Sequence, residues 1–308
     1  DRALLARSLV GVDWRLLACA MALKIVSIQL KSQRWRLAIE AASGWKADNR
    51  IFAATVVGLA GNIAMQARKG ELAQIRLLTR HNDVPAGFMA STAGVAYLLD
   101  AVLLSLVFVA LSGMSIVPRT TTRSLLLAAG TLLLVAAAAW MASRSSSTRL
   151  SQIGQSPLRR LPERLASRIA RHAQGLIGGF GILGQRRCMP RLILKTMGIV
   201  ACEIASVQFG LIALGIAVSW LVAAALVVAL QLSYALPTTP GNLGAHQVIC
   251  VLMLGAFGIS REEAFGFSLA FQGAAHLTVL TIAGFVLLQE TWGWTAWKNL
   301  RQRPRISA

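Results

Sequence analysis

The order of apolar and polar positions divides the chain into long charge-poor runs separated by basic segments. Residues Ala86–Gly113, Ser124–Ala142, Thr196–Ser219 and Ala264–Leu288 hold almost no charge. Each is about as long as the ~18–20 apolar residues that cross a ~30 Å hydrocarbon layer. Trp14–Leu30 is a further apolar run, followed by the basic residues Lys31, Arg34 and Arg36. Trp220–Leu236 is another. Two apolar stretches are interrupted. Ile51–Met65 is short, contains Gly58, Gly61 and Asn62, and ends in Gln66-Ala-Arg-Lys-Gly-Glu-Leu, too polar to face lipid unshielded. Pro237-Thr-Thr-Pro-Gly-Asn-Leu-Gly244 breaks the second, before the short apolar piece Val248–Ile259. The pattern predicts an all-α polytopic membrane protein of about six to eight membrane helices, two of them broken or re-entrant.

Charge changes this picture by giving it a direction. Charged residues make up 14% of the chain, against roughly a quarter in a soluble domain. The balance is 31 Lys+Arg to 12 Asp+Glu. In a membrane protein such an excess marks cytoplasmic loops and contacts with anionic lipid, and no aromatic-studded basic groove argues for nucleic acid. Arg144–Lys195 carries eleven Lys/Arg and one acid, Glu163. Within it Leu165, Ile169, Ala173 and Leu176 share one helical face and Arg160, Arg164, Arg168 and Arg171 the other, the pattern of a basic amphipathic helix on a membrane surface. A solvated connector is the plainer reading, and both make the loop cytoplasmic. The expected organisation is a membrane half at 1–143, the basic connector at 144–195, a second membrane half at 196–290 and a basic tail at 291–308. With the central loop inside, Val84–Gly113 runs outward and the last span returns to the cytoplasmic tail, in a bacterial inner membrane.

That reversal accompanies an internal similarity. Glu71 precedes Asp100, and Gln247 precedes His276, by the same 29 residues (100 − 71; 276 − 247). Each interval holds a short helix, a polar turn and a long span. Similar elements with opposite direction predict an inverted repeat, whose broken helices meet near the midplane around the cargo. Asp100 and Glu203 lie inside spans, where a carboxylate is costly unless it faces the protein interior or a wet cavity. Either each meets a headgroup, cation or proton, or it is paired between helices, for example with Arg68, Lys69 or His276. His246 and His276 are further intramembrane candidates. Cys19, Cys188, Cys202 and Cys250 form neither a disulfide framework nor a metal site. No Walker, GxSxG or HExxH motif and no paired carboxylates occur, so no catalytic residue, cofactor or metal is expected. Gly178-Gly-Phe-Gly181 is a bare glycine cluster.

The broken segments resemble the lysylphosphatidylglycerol synthase transmembrane-region family, described as flippase-like. Gln33-Arg-Trp35 is similar to its early Arg-Trp pair. Asn62 with Ala67-Arg-Lys-Gly-Glu71 resembles its Asn…Pro-x-Arg-x-Gly-Glu element, and Asp100 falls at its Glu-Arg-x-x-Asp. Thr239-Pro-Gly-Asn-Leu-Gly244 resembles its Pro-Gly-Gly-x-Gly element. Several family positions are neutral here: Gln66 for proline, Gln74 for arginine, Ala96-Tyr97 for Glu-Arg, and Gln247 for glutamate. The resemblance implies movement of charged lipids between leaflets. With twenty residues after Leu288 (308 − 288), the soluble aminoacyl-transferase domain of some members is expected to be absent. The implied lipid site comprises Asn62, Arg68, Lys69, Gly70, Glu71, Asp100, Pro240, Gly241, Asn242, Gly244, His246, Gln247 and His276. Arg68, Lys69 and the amides after Pro240 would hold a phosphate, and Asp100 would meet a cationic group. Expected partners are membrane lipids, either anionic phospholipid or a lipid-linked substrate, with a homo-oligomer or larger membrane complex beyond them. The neutral positions motivate a second reading, an accessory subunit that no longer transports. An intramembrane transferase is a third, which lacks an acid–base pair.

Overall fold

The computed structural model describes residues 11–44, 50–65, 69–79, 86–113, 181–185, 187–233 and 239–289. Among these the chain is all-α, with eight α-helices and no strand. They are α1 (Trp14–Ser43), α2 (Arg50–Ala64), α3 (Lys69–Thr79), α4 (Ala86–Gly113), α5 (Met189–Ala213), α6 (Trp220–Ser233), α7 (Ala245–Gly255) and α8 (Arg261–Gln289). Four of them, α1, α4, α5 and α8, are long and apolar enough to cross a membrane. The expected span Ser124–Ala142, the amphipathic helix, the glycine cluster's first residues, Arg68 and the tail lie outside the described residues.

Helix α1 starts where the Asp13 carboxylate accepts the amides of Arg15 (2.9 Å) and Leu16 (3.3 Å), a side-chain cap for amides that have no partner within the helix. It ends at Gly44, which takes φ = 67° and donates its N–H to the Glu40 carbonyl, a left-handed stop that glycine adopts without penalty. At 30 residues it spans about 45 Å. The sequence placed Lys31, Arg34 and Arg36 after this span; they lie within it. No glycine or proline interrupts the segment before Gly44. Lys24, Lys31 and Arg34 find partners on other helices and Arg36 pairs with Glu40 within α1, so the apolar run understated the helix.

A similar shift occurs at α5, expected over Thr196–Ser219. Pro190 in its first turn sets the start seven residues earlier (196 − 189). The chain then leaves the helix at Ala213 and turns through Gly215, φ = 78°. Helices α1 and α5 run antiparallel along most of their length. At one end the Asp13 amide donates to the Ala213 carbonyl (2.8 Å). Farther along, Ser206 Oγ donates to the Ala20 carbonyl (2.8 Å), and near the other end Lys195 Nζ donates to Gln33 Oε1 (2.8 Å).

Helix α6 is the centre of the apolar core. Every residue from Val222 to Val228 is buried, as an all-round hydrophobic helix requires. Around it lie Leu104, Phe108 and Leu111 of α4, Val207 and Leu211 of α5, Leu254 of α7, and Phe267 and Phe271 of α8. A Ser260/Glu263 capping box opens α8: the Glu263 amide donates to Ser260 Oγ (3.3 Å) and the Ser260 amide to Glu263 Oε2 (3.2 Å).

Candidate functional site

Two interrupted elements meet. The first is the α2–α3 hairpin. Here helices approach so closely that a Cβ on Gly61 would stand 2.8 Å from Gly70 Cα, and one on Gly70 would fall 2.5 Å from the Asn62 amide nitrogen. Three glycines, Gly58, Gly61 and Gly70, therefore set the contact. Lys69 is exposed at the start of α3, and Glu71 sits in its first turn, where the helix dipole favours a carboxylate.

The second is the 3-10 turn Pro240–Asn242 before α7. Gly241, Asn242 and Gly244 take φ = 64°, 57° and 88°. This is left-handed backbone, which suits glycine and asparagine. The turn packs against α2. A methyl group at Gly241 would lie 3.4 Å from the Ile63 carbonyl oxygen and 3.0 Å from His276 Cε1. The turn is thus wedged between the end of α2 and the middle of α8.

A relay of amides holds it there. The Gly244 N–H donates to Gln247 Oε1 (2.6 Å), Gln247 Nε2 to Gln272 Oε1 (2.7 Å), and Gln272 Nε2 to the Gly241 carbonyl (2.9 Å). Gln247 both accepts and donates in this chain, which an ionised glutamate does not do. Beside it His246 is 2% exposed, and neither ring nitrogen has a hydrogen-bond partner. Asn62 Oδ1 is also buried without a partner. Burying polar atoms in this way is costly, so they mark a place where structure alone does not account for the residues.

The spans carry two ion clusters. Asp100 pairs with Arg34 of α1, through Nη1 and through Nη2 at 2.8 Å. Arg34 Nη1 also donates to Thr196 Oγ1 (3.0 Å). The partner is neither Lys69 nor His276, two of the candidates named from sequence. Glu203 is met by Lys24 and by Lys31 (2.7 Å) and accepts from Ser27 Oγ (2.7 Å). Lys24 lies between Leu17 and Ile28, which share apolar clusters with Ala274 and with Val279 of α8, and is therefore level with His276. Of the residues named from sequence, Asn62, Gly70, Pro240, Gly241, Asn242, Gly244, His246, Gln247 and His276 are gathered around the hairpin and the turn. Asp100 is engaged elsewhere. Lys24, Ser27, Lys31, Arg34 and Gln272 were missed, yet the first four are spaced at 3, 4 and 3 residues, one face of a helix.

The Arg34–Asp100 pair gives a quantitative check. Arg34 is buried (4% side-chain exposure) and Asp100 mostly so (24%). A double-mutant cycle with Arg34→Met and Asp100→Leu is expected to show a coupling of about 1.5–3 kcal/mol in thermal stability. Additive single effects would contradict a pairing between them.

The family model for the lysylphosphatidylglycerol synthase TM region matches residues 1–284. The chain belongs to this family. No curated protein and no solved structure gives a match. With four helices of spanning length and apolarity, this member of the lysylphosphatidylglycerol synthase transmembrane-region family is an integral membrane protein. The family relates it to lipid modification or flipping, and His246, which follows the broken Pro-Gly turn, keeps both ring nitrogens buried without a partner.

Proposed function

We propose that this chain is a flippase-like membrane protein, not an enzyme, that binds or translocates a phosphate-bearing or amphiphilic lipid between leaflets. One observation carries the reading: the glycine-lined α2–α3 hairpin and the Pro240–Asn242 turn lie against each other beside His276, with His246 unpartnered at the start of α7. Interrupted helices supply free backbone amides at membrane depth, which suits the capture of a polar headgroup.

An inverted repeat is the architecture that fits this reading. Helices α1 to α4 have 30, 15, 11 and 28 residues, and α5 to α8 have 25, 14, 11 and 29. The leading members, α1 and α5, pair antiparallel, as equivalents related by a two-fold axis in the membrane plane would. The basic central loop and tail favour the cytoplasmic side of a bacterial inner membrane.

The test is a leaflet-specific assay on purified protein in vesicles. Fluorescent phospholipid in the inner leaflet should reach an external quencher several-fold faster than in protein-free vesicles, and Gly241→Leu should remove the gain. Equal rates with and without protein would overturn the proposal. The internal use of Asp100 by Arg34 favours a second reading, an accessory subunit. Co-purification with a stoichiometric partner, and intact assembly of that complex with Gly241→Leu, would support it instead.

A further inference from the structure

The two ion clusters of the spans differ in balance. Arg34 and Asp100 match one to one. Glu203 faces two ammonium groups, Lys24 and Lys31, so that cluster carries one positive charge in excess. Its depth follows from the antiparallel pairing of α1 and α5. Lys24 lies eleven residues from Asp13 (24 − 13), whose amide bonds to Ala213 at the far end of α5. Eleven residues rise about 16 Å, half of a ~30 Å hydrocarbon layer. A surplus ammonium at this depth is unfavourable unless a further group balances it.

The surplus charge is not sealed off. Glu203 is sealed, with 5% side-chain exposure, whereas Lys24 is 23% exposed. Lys24 stands on α1 between Leu17 and Ile28, which share apolar clusters with Ala274 and with Val279 of α8 respectively, so it is level with His276, the residue against which the Gly241 turn is seated. His246 is the second residue of α7, an 11-residue helix whose first turn is its positive end. Both of its ring nitrogens are buried and unpartnered. His276 touches the place where Gly241 leaves out a side chain. An ammonium, two imidazoles and the first amides of α7 thus lie on the elements around the turn, while Glu203 is already engaged by both lysines and Ser27.

We propose that Lys24, His246 and His276 form an anion subsite that takes a singly charged phosphate group, and that this is the headgroup position of the transported lipid. The inference rests on the lipid-handling reading above and narrows its substrate class to phosphodiesters with net negative charge. One such charge offsets the excess on the lysine cluster, and its oxygens accept from the ammonium and the imidazole N–H groups. Leu243, Leu277 and Leu280, exposed on the turn and on α8 beside His276, offer an apolar border for acyl chains.

The experiment measures binding to the full chain in phosphatidylcholine nanodiscs. The probes are short-chain phosphatidylglycerol, short-chain diacylglycerol, which has no phosphate, and inorganic phosphate. Phosphatidylglycerol should bind at least about tenfold more tightly than diacylglycerol, and Lys24→Gln should remove about that factor. Lys24→Arg, which keeps the charge, should retain the preference. His246→Gln and His276→Gln should weaken phosphatidylglycerol and leave diacylglycerol unchanged; His246 has no bond to lose, so this arm stands if Lys24→Gln fails to fold. Competition by inorganic phosphate at matching concentration assigns the site to free phosphate, and its absence assigns it to a lipid headgroup. An unchanged ratio of the two lipids in the Lys24 and histidine variants overturns the subsite. Transport without headgroup discrimination would remove this inference and keep the flippase reading; Lys24-dependent binding without transport would do the reverse.

Discussion

Glu203→Ala is expected to destabilise the protein by about 3–5 kcal/mol, the usual cost of removing one partner from a buried ion network. The substitution leaves Lys24 and Lys31 facing each other with no carboxylate between them. It also takes the acceptor from Ser27, which is fully buried. The alternatives open to the lysines are poor. Both are about a quarter exposed, but that exposure lies within a span, where water does not solvate an ammonium. Glu203→Gln keeps an acceptor for Ser27 and should cost less, though it too loses the charge. Thermal unfolding of the detergent-solubilised protein, followed by tryptophan fluorescence, reads both. The triple variant Lys24→Met, Lys31→Met, Glu203→Ala should recover much of the loss, because apolar groups of similar volume often replace a buried ion cluster without penalty. A midpoint for Glu203→Ala that matches the unaltered chain would show that the cluster does not hold α1 to α5.

This cluster also shows where sequence reasoning stops. Glu203 stood out in the sequence as a charge inside a span, but its partners are 172 and 179 residues away. Lys31 and Arg34 read as the end of the first span because basic residues commonly flank one. Only the packing of α1 on α5 and α4 gives them acids to meet, and so lets the helix continue to Ser43. The stripe of Lys24, Ser27, Lys31 and Arg34 was missed although its spacing carries a helical signal; which helix it faces has no signal in the sequence. Asp100 illustrates the same limit: Arg68, Lys69 and His276 were named as candidates, and the partner is Arg34, 66 residues earlier. What a local pattern encodes was legible. Pro240-Gly-Asn marked the break, and Ser260-Arg-Glu-Glu263 lies at the start of α8, where Ser260 and Glu263 cap it. Among the described residues the charge-free runs Ala86–Gly113, Thr196–Ser219 and Ala264–Leu288 marked long apolar helices, although Pro190 moved one boundary. Gln272 had no local signal: its role depends on a turn 31 residues away.

Gly70→Val is expected to separate α3 from α2 and abolish the lipid movement proposed above, with a stability loss of about 1–3 kcal/mol from overpacking. Contact at this position is backbone on backbone. A Cβ there would collide with the Gly58 carbonyl oxygen, and would stand 2.5 Å from the Asn62 amide nitrogen and 2.7 Å from its Oδ1. Neither helix backbone can swing aside as a flexible side chain would. The end of α2 carries Ile63, against which Gly241 is seated, so a shift of the hairpin is passed directly to the broken turn and to His276. Loss of transport should therefore exceed what the stability change alone produces. Gly273→Ala is the matching control. Gly273 is exposed in α8 and a Cβ there meets nothing within 4 Å, so alanine should raise helix stability by roughly 0.5–1 kcal/mol and leave transport intact. Reconstitution of both variants at equal protein content, with the leaflet assay and the melting midpoint measured on the same preparations, separates the two effects. Full transport by Gly70→Val would mean that the close approach of α2 and α3 is not part of the lipid path.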